Sequence, residues 1–385
     1  MQKKLEYNFF KKKINNKNIS IDLKKVIQNN HNFKEIISSF KDDYRYSYEL
    51  KKLNKLKKKN YFKIIGIGGS SQGSKAIYNF LNHKIKKKFI FIDNINLKKE
   101  GNKNKTVNII ISKSGNTLET IVNSNLYISN KDKNLILTEN KNSVLSKLAN
   151  KLKCEIIDHN NFIGGRYSVL SETGMIPAYL MGLDQKKFKV YNQLIKNKKF
   201  LKNLITNVSS LVYFIKKRYT NSILLNYDEK SEDLLKWYQQ LFGESIGKNN
   251  IGLLPTISNM PQDNHSLLQY YLDGPKKSFF TFFSVHEKNK EKLNKFKLEK
   301  PYDKITKYSS SDVLFAQKNA TEKVFQNKKI PFRTISVIKR DEEAIGELFC
   351  FFMLEVILLG RALRINPFDQ PAVELVKQQT KKILF

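Results

Sequence analysis

Asn108-Ile109-Ile110-Ile111-Ser112-Lys113-Ser114-Gly115-Asn116-Thr117-Leu118-Glu119-Thr120 reads as an apolar strand that stops abruptly in hydroxyls, one lysine and a glycine. An apolar run of this length, bounded by turn residues and followed by a helical pattern, belongs to a central strand whose polar residues lie at its carboxyl end. The helix beginning near Asn116 or Thr117 carries Glu119 in its first turn and offers unpaired N–H groups and a positive dipole end to an anion. Ser112, Ser114 and Thr117 can add hydroxyl donors, and Lys113 a full charge. Taken alone, the stretch is equally an ordinary capped turn between strand and helix.

A second copy of the pattern lies upstream, in Phe62-Lys63-Ile64-Ile65-Gly66-Ile67-Gly68-Gly69-Ser70-Ser71-Gln72-Gly73-Ser74. Glycines at such a turn let backbone approach a ligand, a feature shared by dinucleotide and phosphate sites. No Walker-type Gly-Lys-Ser/Thr ending follows, and Asp93, after Phe91-Ile92, comes early for the ribose-binding acid of a dinucleotide fold. Two serine-rich turns at successive strand ends favour one phosphate held by hydroxyls and amides.

Strand-like runs at Phe62–Ile67, Phe89–Ile92, Val107–Ile111, Leu135–Thr138 and Cys154–Ile157 alternate with helical stretches such as Asn142–Leu152. That alternation predicts a parallel sheet covered on both faces. The pattern restarts after Phe188: strands at Ser222–Leu225, Ile251–Pro255, Phe279–Val285 and Ile335–Ile338, a helix at Ser231–Phe242, and a long buried helix at Glu342–Leu363. Residues 1–59 form a basic, helical lead-in with little chemical information. With 385 residues, of which 40% are hydrophobic, the chain is long enough for two α/β domains in tandem.

The formal charge of +35 invites a nucleic-acid reading, because basic proteins release counterions from phosphates. The lysines are spread along the whole chain, with no aromatic-interleaved basic motif, zinc-ligand spacing or helix-turn-helix pattern, so no specific nucleic-acid partner is expected. Cys154 and Cys350 form neither a CxxC pair nor a disulfide framework, which fits a reducing, cytoplasmic setting. The first twenty residues lack the apolar core of a signal peptide. The longest apolar stretch, Leu348–Leu359, is interrupted by Glu355 and is too short to span a bilayer, so no membrane is expected.

From about Tyr61 to the C-terminus the chain resembles the glucose-6-phosphate isomerase family, through segments that match in order. They are Gly66-Ile67-Gly68-Gly69-Ser70, Ser112 to Thr120, Gly164-Gly165-Arg166-Tyr167-Ser168, Gly243-Glu244-Ser245-Ile246-Gly247-Lys248, and Asn366-Pro367-Phe368-Asp369-Gln370-Pro371-Ala372-Val373-Glu374. The first two also occur in related sugar-phosphate binders; the last three together point to this isomerase. The resemblance implies two tandem three-layer αβα sugar-isomerase (SIS) domains with mainly parallel central sheets, followed by a C-terminal helix. The boundaries would be 60–185 for the first domain, 186–364 for the second, which carries the catalytic glutamate, and 365–385 for the helix.

The activity so implied is reversible conversion of glucose 6-phosphate and fructose 6-phosphate by ring opening and proton transfer through a cis-enediol. The alternatives are a dual phosphoglucose and phosphomannose isomerase and a catalytically silent sugar-phosphate binder. Ser70, Ser112, Lys113, Ser114 and Thr117 match the family's phosphate-holding residues, and Gly69 and Gln370 its substrate contacts. Glu244 matches the base that moves the proton between C2 and C1, Arg166 the arginine beside the enediol, and His265 with Lys377 the pair assigned to opening the sugar ring. The chemistry suits these residue types. One carboxylate can take and return the proton, a guanidinium offers a charge that cannot be lost, and imidazole with ammonium can move protons at the ring oxygens. No step asks for a metal or redox cofactor. The family also implies a homodimer in which His265 crosses the subunit interface. Ala372 and Val376 stand where the family pattern has glycine, and the chain looks short for the family.

Overall fold

The computed structural model describes residues 4–9, 17–28, 34–95, 106–129, 132–287, 300 and 302–384. Parts of the lead-in, at 1–3, 10–16 and 29–33, therefore lie outside the described residues. Ten strands are present among them: β1 (Leu5–Asn8), β2 (Tyr61–Ile65), β3 (Lys88–Ile92), β4 (Val107–Ile111), β5 (Lys133–Thr138), β6 (Glu155–Asp158), β7 (Asn221–Asn226), β8 (Leu254–Asn259), β9 (Ser278–Val285) and β10 (Phe332–Val337). They form two five-stranded sheets, ordered β3-β2-β4-β5-β6 and β1-β10-β9-β7-β8. The first is parallel throughout. The second is parallel except for β1, which pairs antiparallel with β10.

β4 shows why the first sheet forms. All five of its residues are buried, and Ile109 pairs with Ile64 of β2 on one side and Leu135 of β5 on the other. A strand covered on both faces must be apolar throughout, and each fully buried isoleucine contributes roughly 1.5–3 kcal/mol. Its one polar residue, Asn108, donates at the sheet's far end to Asn134 Oδ1 at 2.8 Å and Asp132 Oδ2 at 3.2 Å, while its own Oδ1 is buried without a partner.

The strand order reverses at β2, which sits between β3 and β4. The crevice at the carboxyl ends of β2 and β4 is therefore where such a sheet binds ligands, and the Gly68–Ser70 turn and the Ser112–Thr117 loop both lie there. The comparable crevice of the second sheet, beyond β7 and β9, is filled by Arg340. Its guanidinium pairs with Asp228 at 2.7 Å and Glu287 at 2.8 Å.

The long helix Glu342–Leu363 starts where the sequence places it, with Asp341 Oδ1 accepting from Ala344 N at 3.0 Å, and ends at Arg364 in the left-handed conformation. Eighteen of its residues are buried, against the Lys17–Ile27, Lys198–Lys216 and Glu232–Ile246 helices. Glu355 in its middle is wholly buried and paired with Arg333 of β10 at 2.5 Å, with Tyr238 Oη donating to the same carboxylate at 2.5 Å. Arg333 Nη1 also donates to Asn207 Oδ1 at 2.7 Å. A buried pair survives only when its remaining donors and acceptors are met, and here the partners come from two flanking helices and from β9, where Thr281 Oγ1 accepts from Arg333 Nε at 2.8 Å.

Two expectations differ from what is observed. Residues 1–59 are not helical throughout, because Leu5–Asn8 adds an edge strand to the second sheet. The strand expected at Ile251–Pro255 lies instead at Leu254–Asn259; Ile251 makes an isolated bridge to Lys248 that closes a turn.

The halves meet helix to helix. Gln72–Phe80, which follows the glycine turn, packs along Glu232–Ile246, with Gln72 Nε2 donating to Asp233 Oδ1 at 3.3 Å and Asn79 Nδ2 donating to Asp233 Oδ2. That packing brings the crevice of the first sheet to the last turn of a helix from the second half.

Candidate active site

The two loops at the first sheet's crevice have the chemistry of an anion cradle. Gly68 has φ +56°, which glycine adopts without strain, and the turn leads into the Gln72–Phe80 helix. The N-cap residue of that helix, Ser71, makes no side-chain cap bond, and its Oγ is buried without a partner. At β4 the Ser112 and Thr117 hydroxyls meet at 2.8 Å, and Asn116 N donates to Ser114 Oγ at 3.2 Å. Thr117 makes no side-chain cap, so the first amides of the Leu118–Tyr127 helix are not met by it. Ser70 is half-buried and belongs to the turn itself.

Lys113 is turned along the sheet, donating to Asn161 O at 2.6 Å and lying 3.7 Å from Glu139 Oε1. Burial holds its ammonium below the ordinary lysine range, against the opposing charge of Glu139. Asp93, the acid weighed for a ribose, is engaged by Lys75 at 2.8 Å.

Beside these loops lies a tight cluster around Arg166, which sits in the short Gly165–Leu170 turn and is 3% exposed. Gly69 and Gly165 are in backbone contact: a Cβ on Gly69 would lie 2.2 Å from the Gly165 carbonyl carbon. Every arm of the Arg166 guanidinium is used. Nε donates to Ser245 Oγ at 2.8 Å, Nη1 to Glu244 Oε2 at 3.1 Å and to Gln370 Oε1, and Nη2 to Pro367 O at 2.7 Å and Asp369 O at 3.0 Å. The buried Tyr167 hydroxyl lies 3.1 Å from both Ser245 Oγ and Pro367 O. Burial pushes this phenol up to about 12.

Glu244 is in the last turn of Glu232–Ile246, with its side chain 31% exposed. Its second oxygen, Oε1, accepts from Gln240 Nε2 at 2.9 Å. Gln240 is the residue that sequence reasoning passed over. It lies one helical turn before Glu244, on the same face, and its amide nitrogen is 2.8 Å from where a Cβ on Gly68 would be. Its Oε1 is buried without a partner. The spacing to Glu244 was the available signal. Gln240 thus links the glycine turn to the carboxylate, while Arg166 links the carboxylate to the C-terminal segment.

The remaining two expected residues stand apart within this chain. His265 ends the Gln262–His265 turn and is exposed, and its side chain makes no hydrogen bond among the described residues. The preceding turn is ordered by Asp263, which accepts from Ser258 Oγ at 2.8 Å and Asn259 N at 2.9 Å. Lys377 lies on the exposed Pro371–Leu384 helix and pairs with Glu374 at 2.6 Å. No hydrogen bond or ion pair joins either residue to the Glu244–Arg166–Gln370 cluster among the described residues.

A carboxylate held by two donors and opening to solvent, flanked by an immobile guanidinium and an anion cradle, is equipped to move a proton on a phosphorylated substrate. The phosphoglucose isomerase family model matches residues 7–256, well over half of the chain. The chain belongs to this family. Within it, a glucose-6-phosphate isomerase of Methanocaldococcus jannaschii is 32% identical over 331 residues, covering 82% of each chain. Among solved structures, a hypothetical protein of Thermus thermophilus has a TM-score of 0.74 at 21% identity, covering 95% of this chain and 90% of that one. A glucose-6-phosphate isomerase of Chlamydia trachomatis has a TM-score of 0.68 at 20% identity, covering 86% and 72%. These two similarities establish the shared fold, and the sequence matches carry the family.

Proposed function

We propose that the chain interconverts glucose 6-phosphate and fructose 6-phosphate, with Glu244 as the base, in the cytoplasm and in glycolysis and gluconeogenesis. Membership of the phosphoglucose isomerase family supports the reaction. The observation that carries the assignment of roles is the Glu244 carboxylate, oriented by Arg166 on one oxygen and Gln240 on the other.

The substrate phosphate would sit against the Gly68–Ser70 turn and the Ser112–Thr117 loop, held by Ser70, Ser112, Ser114, Thr117 and helix amides, with Lys113 adding charge nearby. Gly69 and Gln370 would contact the sugar. Glu244 takes the proton from C2 and returns it to C1, and Arg166 faces the charge that develops on the enediol oxygens. His265, supplied by the second subunit of a homodimer, and Lys377 would open the ring. The chain then divides at 59/60, 185/186 and 364/365: β2–β6 fall in the first sugar-isomerase domain and β7–β10 in the second. Among the described residues no helix is long and apolar enough to cross a membrane.

The test is Glu244→Gln, which keeps the shape and an acceptor for Arg166 but cannot accept the proton. Turnover in a coupled assay should fall about 100- to 10,000-fold while glucose 6-phosphate still binds by calorimetry. A wild-type rate in the variant, or a purified protein that leaves both sugar phosphates untouched, would sink the assignment. Turnover of mannose 6-phosphate in the same assay would widen the substrate class.

A further inference from the structure

Lys248 is separated from the Glu232–Ile246 helix by one glycine, and its side chain is 13% exposed although it carries a full charge. Its three N–H donors find three acceptors on a single turn of the C-terminal segment: Asn366 O at 2.5 Å, Asp369 O at 2.7 Å and Asp369 Oδ1 at 2.5 Å. The ammonium holds the Asp369 carboxyl below the usual carboxylate range. The turn is also closed on itself, with Asn366 Nδ2 donating to Asp369 Oδ2 at 2.9 Å and Phe368 N to Asn366 Oδ1 at 3.1 Å.

The opposite side of this turn is what Arg166 holds. The Asp369 carbonyl accepts from both cations, at 2.7 Å from Lys248 and 3.0 Å from Arg166 Nη2, and Gln370, the next residue, returns its amide oxygen to Arg166 Nη1. Beyond Gln370 the Pro371–Leu384 helix has no buried residue, so packing of that helix does not anchor the turn.

We propose that Lys248 is a positioning residue for the reaction: by clamping the Asn366–Asp369 turn it fixes the carbonyls that orient Arg166 against Glu244 and the side chain of Gln370. This rests on the reading of Glu244 and Arg166 given above. Without the clamp Tyr167 still holds the turn at Pro367 O and packs on Phe368, but the turn's Asp369–Gln370 end keeps only Arg166. When that end shifts, Arg166 Nη2 loses Asp369 O and Nη1 loses the Gln370 amide oxygen, and the guanidinium can turn away from the carboxylate. The phosphate cradle, built from the other end of the site, is untouched. Because Asp369 is half exposed, the ion pair itself adds little to global stability. The consequence is therefore a loss in turnover, with substrate affinity and melting temperature nearly unchanged.

The test uses the full chain with Lys248→Met, Lys248→Arg and Asp369→Asn, each read by steady-state kinetics on glucose 6-phosphate, thermal melting and hydrogen–deuterium exchange. Lys248→Met should lower kcat by roughly 10- to 100-fold, the scale of a misplaced reacting group, with KM within about threefold. Exchange should rise at 366–370. Lys248→Arg should recover most of the rate and the protection. Asp369→Asn, which weakens one of the three Lys248 contacts and leaves both carbonyls in place, should lose less than Lys248→Met. A wild-type kcat in Lys248→Met, a loss carried by KM or melting temperature, or an arginine variant as impaired as methionine would overturn the proposal. If the wild-type protein turned over neither sugar phosphate, the functional reading would fail and the clamp would be judged on exchange alone. Unchanged protection at 366–370 in Lys248→Met would then refute it.

Discussion

Gly69 shows how narrow the tolerance is at the site. A methyl group there would lie 2.2 Å from the Gly165 carbonyl carbon and 2.5 Å from Arg166 N, both backbone atoms that cannot step aside. Gly69→Ala should therefore push the phosphate turn and the Arg166 turn apart, lowering kcat/KM by about 100-fold, the effect expected of a displacement near 1 Å. Steady-state kinetics decide the matter, and unchanged constants would mean that the two turns need not touch. The residues around this contact were unequally legible. Gly69 sits in a glycine-rich turn that the local pattern marks out, whereas Arg166 and Glu244 are named through the family resemblance of their glycine-flanked segments. Gln240 carries no such mark, because a glutamine on a helix face is unremarkable until the position of its neighbour four residues on is known. His265 and Lys377 could be named by motif, yet their distance from Glu244 depends on how exposed segments are arranged, which no local pattern encodes.

Elements were legible in proportion to how completely they are buried. β4 and β9 are buried at every position and read directly as apolar runs. β8 is an edge strand with Thr256, Ser258 and Asn259 along it, so the apolar Ile251–Leu253 segment before it draws the reading too early. β1 is shorter still, and its place is fixed by tertiary contacts: Lys4 reaches Asp341 at 2.6 Å, and the Tyr7 hydroxyl donates to Glu347 Oε1 at 3.1 Å. The second contact has a pH signature. Burial pushes the Glu347 carboxyl up from 4.5 to about 7, against the hydrogen bond from Tyr7. The folded state then holds this proton more tightly than the unfolded one, so stability present at low pH is lost as pH rises from about 4.5 to about 7. Glu347→Gln keeps an acceptor for Tyr7 and never ionises. It should stabilise the fold at pH 8 by an amount on the order of 2–3 kcal/mol and have little effect near pH 4. Denaturant unfolding at the two pH values measures this; the same difference at both would show that Glu347 does not titrate in that window.

At the scale of the whole molecule, the exposed surface bears on assembly. The Pro371–Leu384 helix leaves Leu375 65%, Val376 68% and Ile383 83% exposed, and His265 lies on a turn open to solvent. The proposed site is completed by a second copy, as the family resemblance implies; within one chain Glu244 and the phosphate loops are joined while the imidazole stands apart. Light scattering should therefore find a dimer, and dilution to monomer should abolish turnover. Complementation is the sharper test. Glu244→Gln and His265→Asn should each be nearly inactive alone. In a mixed dimer, one site receives both altered residues, and the other receives an intact Glu244 from one subunit and an intact His265 from its partner. Random reassortment makes half of the dimers mixed, so mixing equal amounts should restore about a quarter of the wild-type rate. Should the mixture stay as inactive as its parts after subunit exchange has been verified, the imidazole is not shared across the interface. A fully active monomer would exclude the shared site altogether.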